Sequence, residues 1–145
     1  MVDYKNMRQQ DIAYELAKEI HKNEFRRDGT APYFNHVIDV ARVAGDRFGF
    51  DDELIATAYL HDSVESGASI VSLELAGING RVISAILLLT LDKRISYEDN
   101  IRTIKNSGNQ LAIRVKIADN LANLADSPTD KQILKYAKSL QILLS

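Results

Sequence analysis

Four side chains in this sequence are out of keeping with their surroundings: His36, the adjacent His61 and Asp62, and Asp119. Each lies in an apolar run with helical spacing. His36 precedes Val37 and Val40, His61-Asp62 follows Ala58-Tyr59-Leu60, and Asp119 falls between Ile117-Ala118 and Leu121. A carboxylate buried without a partner costs on the order of several kcal/mol. Two imidazoles and two carboxylates converging from separate helices would satisfy one another through one divalent ion. The chain has no cysteine, so nitrogen and oxygen alone would hold that ion.

Plainer readings stand beside this one. His36 could be a core histidine bonded to a neighbour. Asp62 could be a surface acid near a helix C-terminus, where the dipole disfavours negative charge unless a cation is close. Asp119 could pair with a Lys or Arg from another helix. Lys116, three residues earlier, reads as exposed by pattern and is not the expected partner. Asn123 lies one turn beyond Asp119 on the same face. Glu65 follows His61 by four residues and therefore shares its face; it could orient a water beside the metal, or it is a solvated acid. His21, at a helix end before Lys22, reads as solvated and without a role. Arg26-Arg27, in a loop with Gly29, could receive a phosphate, which guanidinium groups bind bidentately, or could be a solvated charge run. No Ser-His-Asp signature, GxSxG elbow or phosphate-loop glycine pattern occurs.

The elements that must position these groups read as helices. Ile and Val recur at three- and four-residue spacings and not in alternation. Helices are expected over 11–20, from Pro32 to about 48, from Asp51-Asp52-Glu53 to about 65, over 69–75, 80–90, 96–107, 110–126 and 129–144, with a polar loop at 23–32. Pro32 suits a first turn, Asn79 a cap, and Ser96 with Asp99 a variant capping box. The 80–90 segment is apolar nearly all round and so is expected to be central. The sum is an all-α, compact helical bundle, with residues 1–145 as a single domain.

The formal net charge of −2 and a pI near 5.9 argue against a nucleic-acid partner. No apolar run approaches the roughly 20 residues of a membrane span, and the first residues lack the apolar stretch of a signal peptide. A cytoplasmic protein without a membrane or nucleic-acid partner is expected; nothing in the pattern specifies an oligomeric state.

The order His, His-Asp, Asp on a helical chain resembles the HD-domain metal-dependent phosphohydrolases. One branch matches nearly throughout. Residues 26–36, RRDGTAPYFNH, resemble the R-x-x-G-x-P-Y-x-x-H segment of RelA/SpoT-type (p)ppGpp hydrolase domains and small alarmone hydrolases. Residues 56–65, ATAYLHDSVE, resemble their A-A-L-L-H-D-x-V-E-D. Residues 89–93, LTLDK, resemble V-T-x-x-K, and residues 115–124, VKIADNLANL, resemble V-K-L-A-D-R-x-x-N-L. The resemblance implies an all-helical HD fold and a Mn²⁺ ion held by His36, His61, Asp62 and Asp119. It implies that Glu65 helps activate the attacking water, that Arg26 or Arg27 contacts base or phosphates, and that Asn123 contacts the nucleoside. Lys93 and Tyr136 are further candidates for phosphate contact.

The implied partner is a small phosphorylated purine nucleotide. The implied reaction is that of a guanosine 3′,5′-bis(diphosphate) 3′-pyrophosphohydrolase. An HD nucleotide phosphatase of other specificity and a non-catalytic nucleotide-binding HD module remain open alternatives. The chain departs from the family pattern at Ser66, where the second acid of a Glu-Asp pair stands, at Asn120 in place of Arg, and at the inserted Ala31. If ppGpp is a poor substrate of the wild type, an acid restored at position 66 is expected to raise activity on it.

Overall fold

A computed structural model describes residues 7–26, 29 and 31–145. Its helices are α1 (Gln9–Ile20), α2 (Tyr33–Phe48), α3 (Asp52–Leu60), α4 (Ile70–Leu75), α5 (Gly80–Leu89), α6 (Tyr97–Ser107), α7 (Gln110–Leu124) and α8 (Asp130–Leu144). Among the described residues the extended pairing is limited to an isolated antiparallel bridge between Phe25 and Pro32. The all-α expectation is met, and no helix among these residues is long and apolar enough to cross a membrane.

Local sequence sets most helix starts. Asp51, Ser69, Asn79, Ser96, Asn109 and Thr129 each accept a hydrogen bond from the backbone N–H three residues on, satisfying a donor that the first turn leaves free. Thr129 and Gln132 complete a reciprocal capping box. α1 is capped from a distance. Its Gln9 and Gln10 N–H groups donate to the Asp52 carboxylate at 3.0 and 2.8 Å, so the acid that opens α3 also ties down α1. α6 stops at Gly108, whose φ of +69° is the left-handed conformation that a glycine adopts cheaply.

Two apolar clusters form the core. One gathers Ile12, Ala13 and Ala17 of α1 with Val37, Ala56, Leu60, Leu73, Val82 and Ile86. The other gathers Ile101 and Ile104 of α6 and the inner face of α7 with Val40, Ala44, Leu54, Ala58, Leu89 and Leu143. α2, α3 and α5 contribute to both, so they lie between α1 and α4 on one side and α6, α7 and α8 on the other.

Two expectations change. α3 ends at Leu60, and residues 61–67 continue as tight turns instead of helix. Gly67, at φ +106°, turns the chain toward α4. α5 is not the all-round buried helix, since Arg81, Ser84 and Leu87 face solvent. That position belongs to α7, which is buried from Ala112 through Ala122 except at Arg114 and the half-buried Leu121. Periodicity misleads here because α7 buries charged and amide groups, Lys116, Asp119 and Asn120, among its apolar ones.

Leu60 is fully buried at the end of α3, immediately before the His61-Asp62 pair. Leu60→Ala is expected to lower unfolding free energy by roughly 2–5 kcal/mol. Urea denaturation with an unchanged m-value checks this, and an unchanged midpoint would contradict the placement of Leu60 in the core.

Candidate metal centre

Three helices deliver the central residues. His36 lies in the first turns of α2, His61 is the C-terminal cap of α3, and Asp119 stands in the middle of α7. One ligand atom from each of His36, His61 and Asp119 lies within 4.8 Å of the others, and all three residues are buried. His36 Nε2 is 3.0 Å from Asp119 Oδ1, and His61 Nε2 is 3.5 Å from the same oxygen. Asp62 borders this group, with its Oδ2 3.8 Å from His61 Nε2. The sequence-predicted set is therefore brought together as three mutually close residues and a fourth beside them.

The fit to a cation follows from the donors. His61 Nδ1 meets the Ala58 carbonyl at 2.8 Å; a carbonyl only accepts, so the proton sits on Nδ1 and Nε2 is directed at the carboxylates. Without a cation, burial would favour neutral His61, yet Asp62 and Asp119 outweigh it and push its pKa up to about 9. Burial likewise opposes ionisation of Asp119, but Lys116, His61 and His36 hold its carboxyl well below the usual range. Asp62 is held low in the same way by His61, His21 and Tyr33 against its burial. A site that keeps two buried carboxylates ionised around two imidazole nitrogens suits a divalent ion.

The structure corrects the reading of Lys116. It is buried, with Nζ 3.1 Å from Asp119 Oδ2, so the partner excluded by pattern is the one that Asp119 has. Burial disfavours its ammonium, but Asp119 and the Tyr97 ring hold its pKa above the ordinary lysine value. His21 is corrected too. It is buried, with Nδ1 2.7 Å from Glu24 and Nε2 3.4 Å from Asp62 Oδ1. The other oxygen of Asp62 accepts a short hydrogen bond from the Tyr33 hydroxyl. Burial and the adjacent Asp62 raise the Tyr33 phenol well above its ordinary pKa, so it remains a donor. Glu24 is local, three residues on, but the group that His21 faces on its other side, Asp62, comes from a distant segment.

The cluster opens into a cleft of about 360 Å³, within the size range of small-molecule sites. Arg26, Glu65, Lys116, Asn123, Lys135 and Tyr136 line it. Glu65 reaches it from the turn after α3, where its Oε1 accepts from the Leu91 N–H at 2.9 Å; the shared helical face with His61 does not exist. Asn123 donates to Asp119 Oδ1 at 3.1 Å and accepts from Arg26 at 3.3 Å, while Arg26 also reaches Asp126 at 2.9 Å. Arg27 lies outside the described residues. Lys93 is exposed between α5 and α6 and is not among the lining residues; Lys116 and Lys135 are the lysines that are. Lys135 Nζ also sits 4.3 Å from the Tyr97 ring centre. Of the departures, Asn120 turns its amide to the Tyr97 hydroxyl at 3.3 Å, away from the cleft. The inserted Ala31 is absorbed in a loop where its carbonyl accepts from Arg26 N–H at 2.8 Å.

A helical frame with His and His-Asp and Asp at its centre defines a class. The family model described as the HD domain matches residues 13–141, and this chain belongs to that family. Among its relatives is guanosine-3′,5′-bis(diphosphate) 3′-pyrophosphohydrolase MESH1 of Xenopus tropicalis, 32% identical over 120 residues, which are 79% of this chain and 66% of the relative. The chain thus spans just under two thirds of that relative's length. A solved structure of a metazoan orthologue of SpoT, which hydrolyses ppGpp and plays a role in starvation responses, superposes with a TM-score of 0.76. That match covers 93% of this chain and 85% of the other at 25% identity.

Two measurements follow. A group whose folded pKa is raised stabilises the fold below its unfolded pKa and loses that contribution as pH rises through the folded value. His61 rises from 6.5 to about 9, so the metal-free protein is expected to lose melting temperature between those values. Saturating divalent ion, taking the place of the proton, is expected to remove that slope. A flat metal-free profile would contradict the placement of His61 between two carboxylates. In Asp119→Asn, elemental analysis is expected to find most of the divalent ion gone; wild-type metal content would remove Asp119 from the ligand set.

Proposed function

We propose that this chain is a Mn²⁺-dependent phosphohydrolase that removes the 3′-pyrophosphate of ppGpp or a closely related purine nucleotide. The observation that carries this reading is the buried His36, His61, Asp62 and Asp119 cluster opening into a cleft that also collects Arg26, Lys116 and Lys135. The similarity to MESH1 and to the SpoT orthologue supports the choice of substrate. A freely diffusing nucleotide goes with a cytoplasmic protein, and we place it there.

His36, His61, Asp62 and Asp119 would hold the ion; nitrogen and oxygen donors suit Mn²⁺. When bound, a divalent ion makes water a stronger nucleophile near neutral pH and offsets charge on the transferring phosphoryl group. The chain's own groups supply the remainder. Glu65, fixed at the cleft wall by the Leu91 N–H, is the base that takes a proton from the attacking water. The water oxygen bonds to the phosphorus attached to the 3′ oxygen, the P–O3′ bond breaks, pyrophosphate is released, and the nucleoside 5′-diphosphate leaves with its 3′ oxygen taking up a proton from Glu65 to become a hydroxyl. Arg26, Lys116 and Lys135 lie where the phosphates of an anionic substrate need counter-charge, and Tyr136 and Asn123 border the same space. Arg26 supplies a fork for bidentate phosphate contact, and Asn123 orients it through their hydrogen bond. Lys93, outside the cleft, is given no part in this reading.

Metal-loaded protein is expected to release pyrophosphate from ppGpp, and Glu65→Gln to keep its metal while losing roughly 10²–10⁴-fold in turnover. Substrate affinity should weaken as salt rises, because part of it comes from exposed cations. Fully loaded protein that releases no pyrophosphate from ppGpp would sink the substrate assignment. Full turnover in Glu65→Gln would remove it as the base.

A further inference from the structure

Behind Asp62 runs a line of polar contacts that the proposed chemistry does not use. Ser66 Oγ donates to Glu24 Oε1 at 2.9 Å. Glu24 Oε2 lies 2.7 Å from His21 Nδ1, and His21 Nε2 lies 3.4 Å from Asp62 Oδ1. The line joins two separate stretches of chain: residues 21–24, where α1 ends and the loop before α2 begins, and the turn after α3. The His21 side chain has no exposed surface, although nothing about apolar packing asks for an imidazole there. His21 Nε2 and Asp62 Oδ1 are both buried and without a hydrogen-bond partner among the described residues, and they face each other at 3.4 Å. A buried polar group in that position costs stability unless its partner is held in place.

We propose that Ser66, Glu24 and His21 form a positioning relay that fixes the orientation of the Asp62 carboxylate from behind. Tyr33 holds Oδ2 from one side and His21 faces Oδ1 from the other, so the carboxylate cannot rotate about its Cβ–Cγ bond without leaving both. Each carboxylate oxygen keeps a second lone pair for a cation. The acid of the relay stands at position 24, and position 66 contributes a hydroxyl donor. This reverses what the sequence suggests for position 66. An added carboxylate there would meet Glu24 within hydrogen-bond distance with no proton between them, and would push Glu24 off His21.

The inference rests on the metal-site reading above, and Mn²⁺ binding to this chain tests it independently of turnover. Binding is measured by calorimetry with Mn²⁺ alone, and thermal unfolding verifies that each variant is folded. Ser66→Asp is expected to weaken Mn²⁺ binding by roughly 10–100-fold, the usual effect of disturbing groups behind metal ligands. Glu24→Gln and Ser66→Ala are expected to weaken it less. In Glu24→Gln/Ser66→Asp the amide can donate to the new carboxylate, and affinity is expected to return most of the way to wild type. A double variant no better than Ser66→Asp, or a Ser66→Asp protein that binds Mn²⁺ as wild type does, overturns the relay. Should Ser66→Asp fail to fold, wild-type affinity in both Glu24→Gln and Ser66→Ala overturns it equally. The ppGpp assay separates the two readings. Relay-dependent Mn²⁺ binding without turnover overturns only the substrate assignment, and normal turnover with identical affinities throughout overturns only the relay.

Discussion

The burial of Asp119 in the middle of α7 is the constraint on which the rest of the site depends. A carboxylate there must stay ionised to be useful and must be surrounded to be tolerated. Lys116 takes one oxygen, and His36, His61 and Asn123 gather at the other. Removing one member of such a buried set leaves an uncompensated charge, which in comparable pairs costs about 3–5 kcal/mol. α2 and α3 must therefore present their histidines to one point on α7, and the two apolar clusters on either side of α3 hold them there.

The end of α3 matters as much as its length. A continued helix would have sent Glu65 to the same face as His61. The chain instead breaks into turns after Leu60, and successive side chains diverge. His61 and Asp62 enter the cluster, Glu65 goes to the cleft and the Leu91 backbone, and Ser66 goes to Glu24. One short segment thus serves a cation site, a cleft wall and a supporting contact.

Charge is arranged locally against the overall balance. The chain carries a net −2, yet Arg26, Lys116 and Lys135 all border the cleft. Lys116 faces both ways: it neutralises Asp119 and contributes positive potential to the space above. In a confined, partly buried cleft such charges are screened less than at the open surface.

The helical class, most of the helix starts and the identity of the central residues can be read from the order of the amino acids. Caps such as Asn79, Ser96 and Thr129 act within one turn, and are legible because their partner lies three residues away. His36, His61, Asp62 and Asp119 were legible because polar groups in apolar helical runs need a reason to be there. Lys116 and His21 were not. Both read as surface residues: each has an acid three residues on, Asp119 and Glu24, but their burial depends on distant groups, His36 and His61 beside Asp119 and Asp62 beside His21. The opposite duties of Glu65 and Ser66 were equally hidden, because they follow from where α3 unwinds. The anion-facing lysines also had to wait for the fold: Lys93 lies in the matching motif but outside the cleft, while Lys135 lies in no motif and lines it. Tertiary structure decided these points because burial and charge pairing depend on which distant side chains arrive at the same place, and local sequence specifies only which turn each one leaves from.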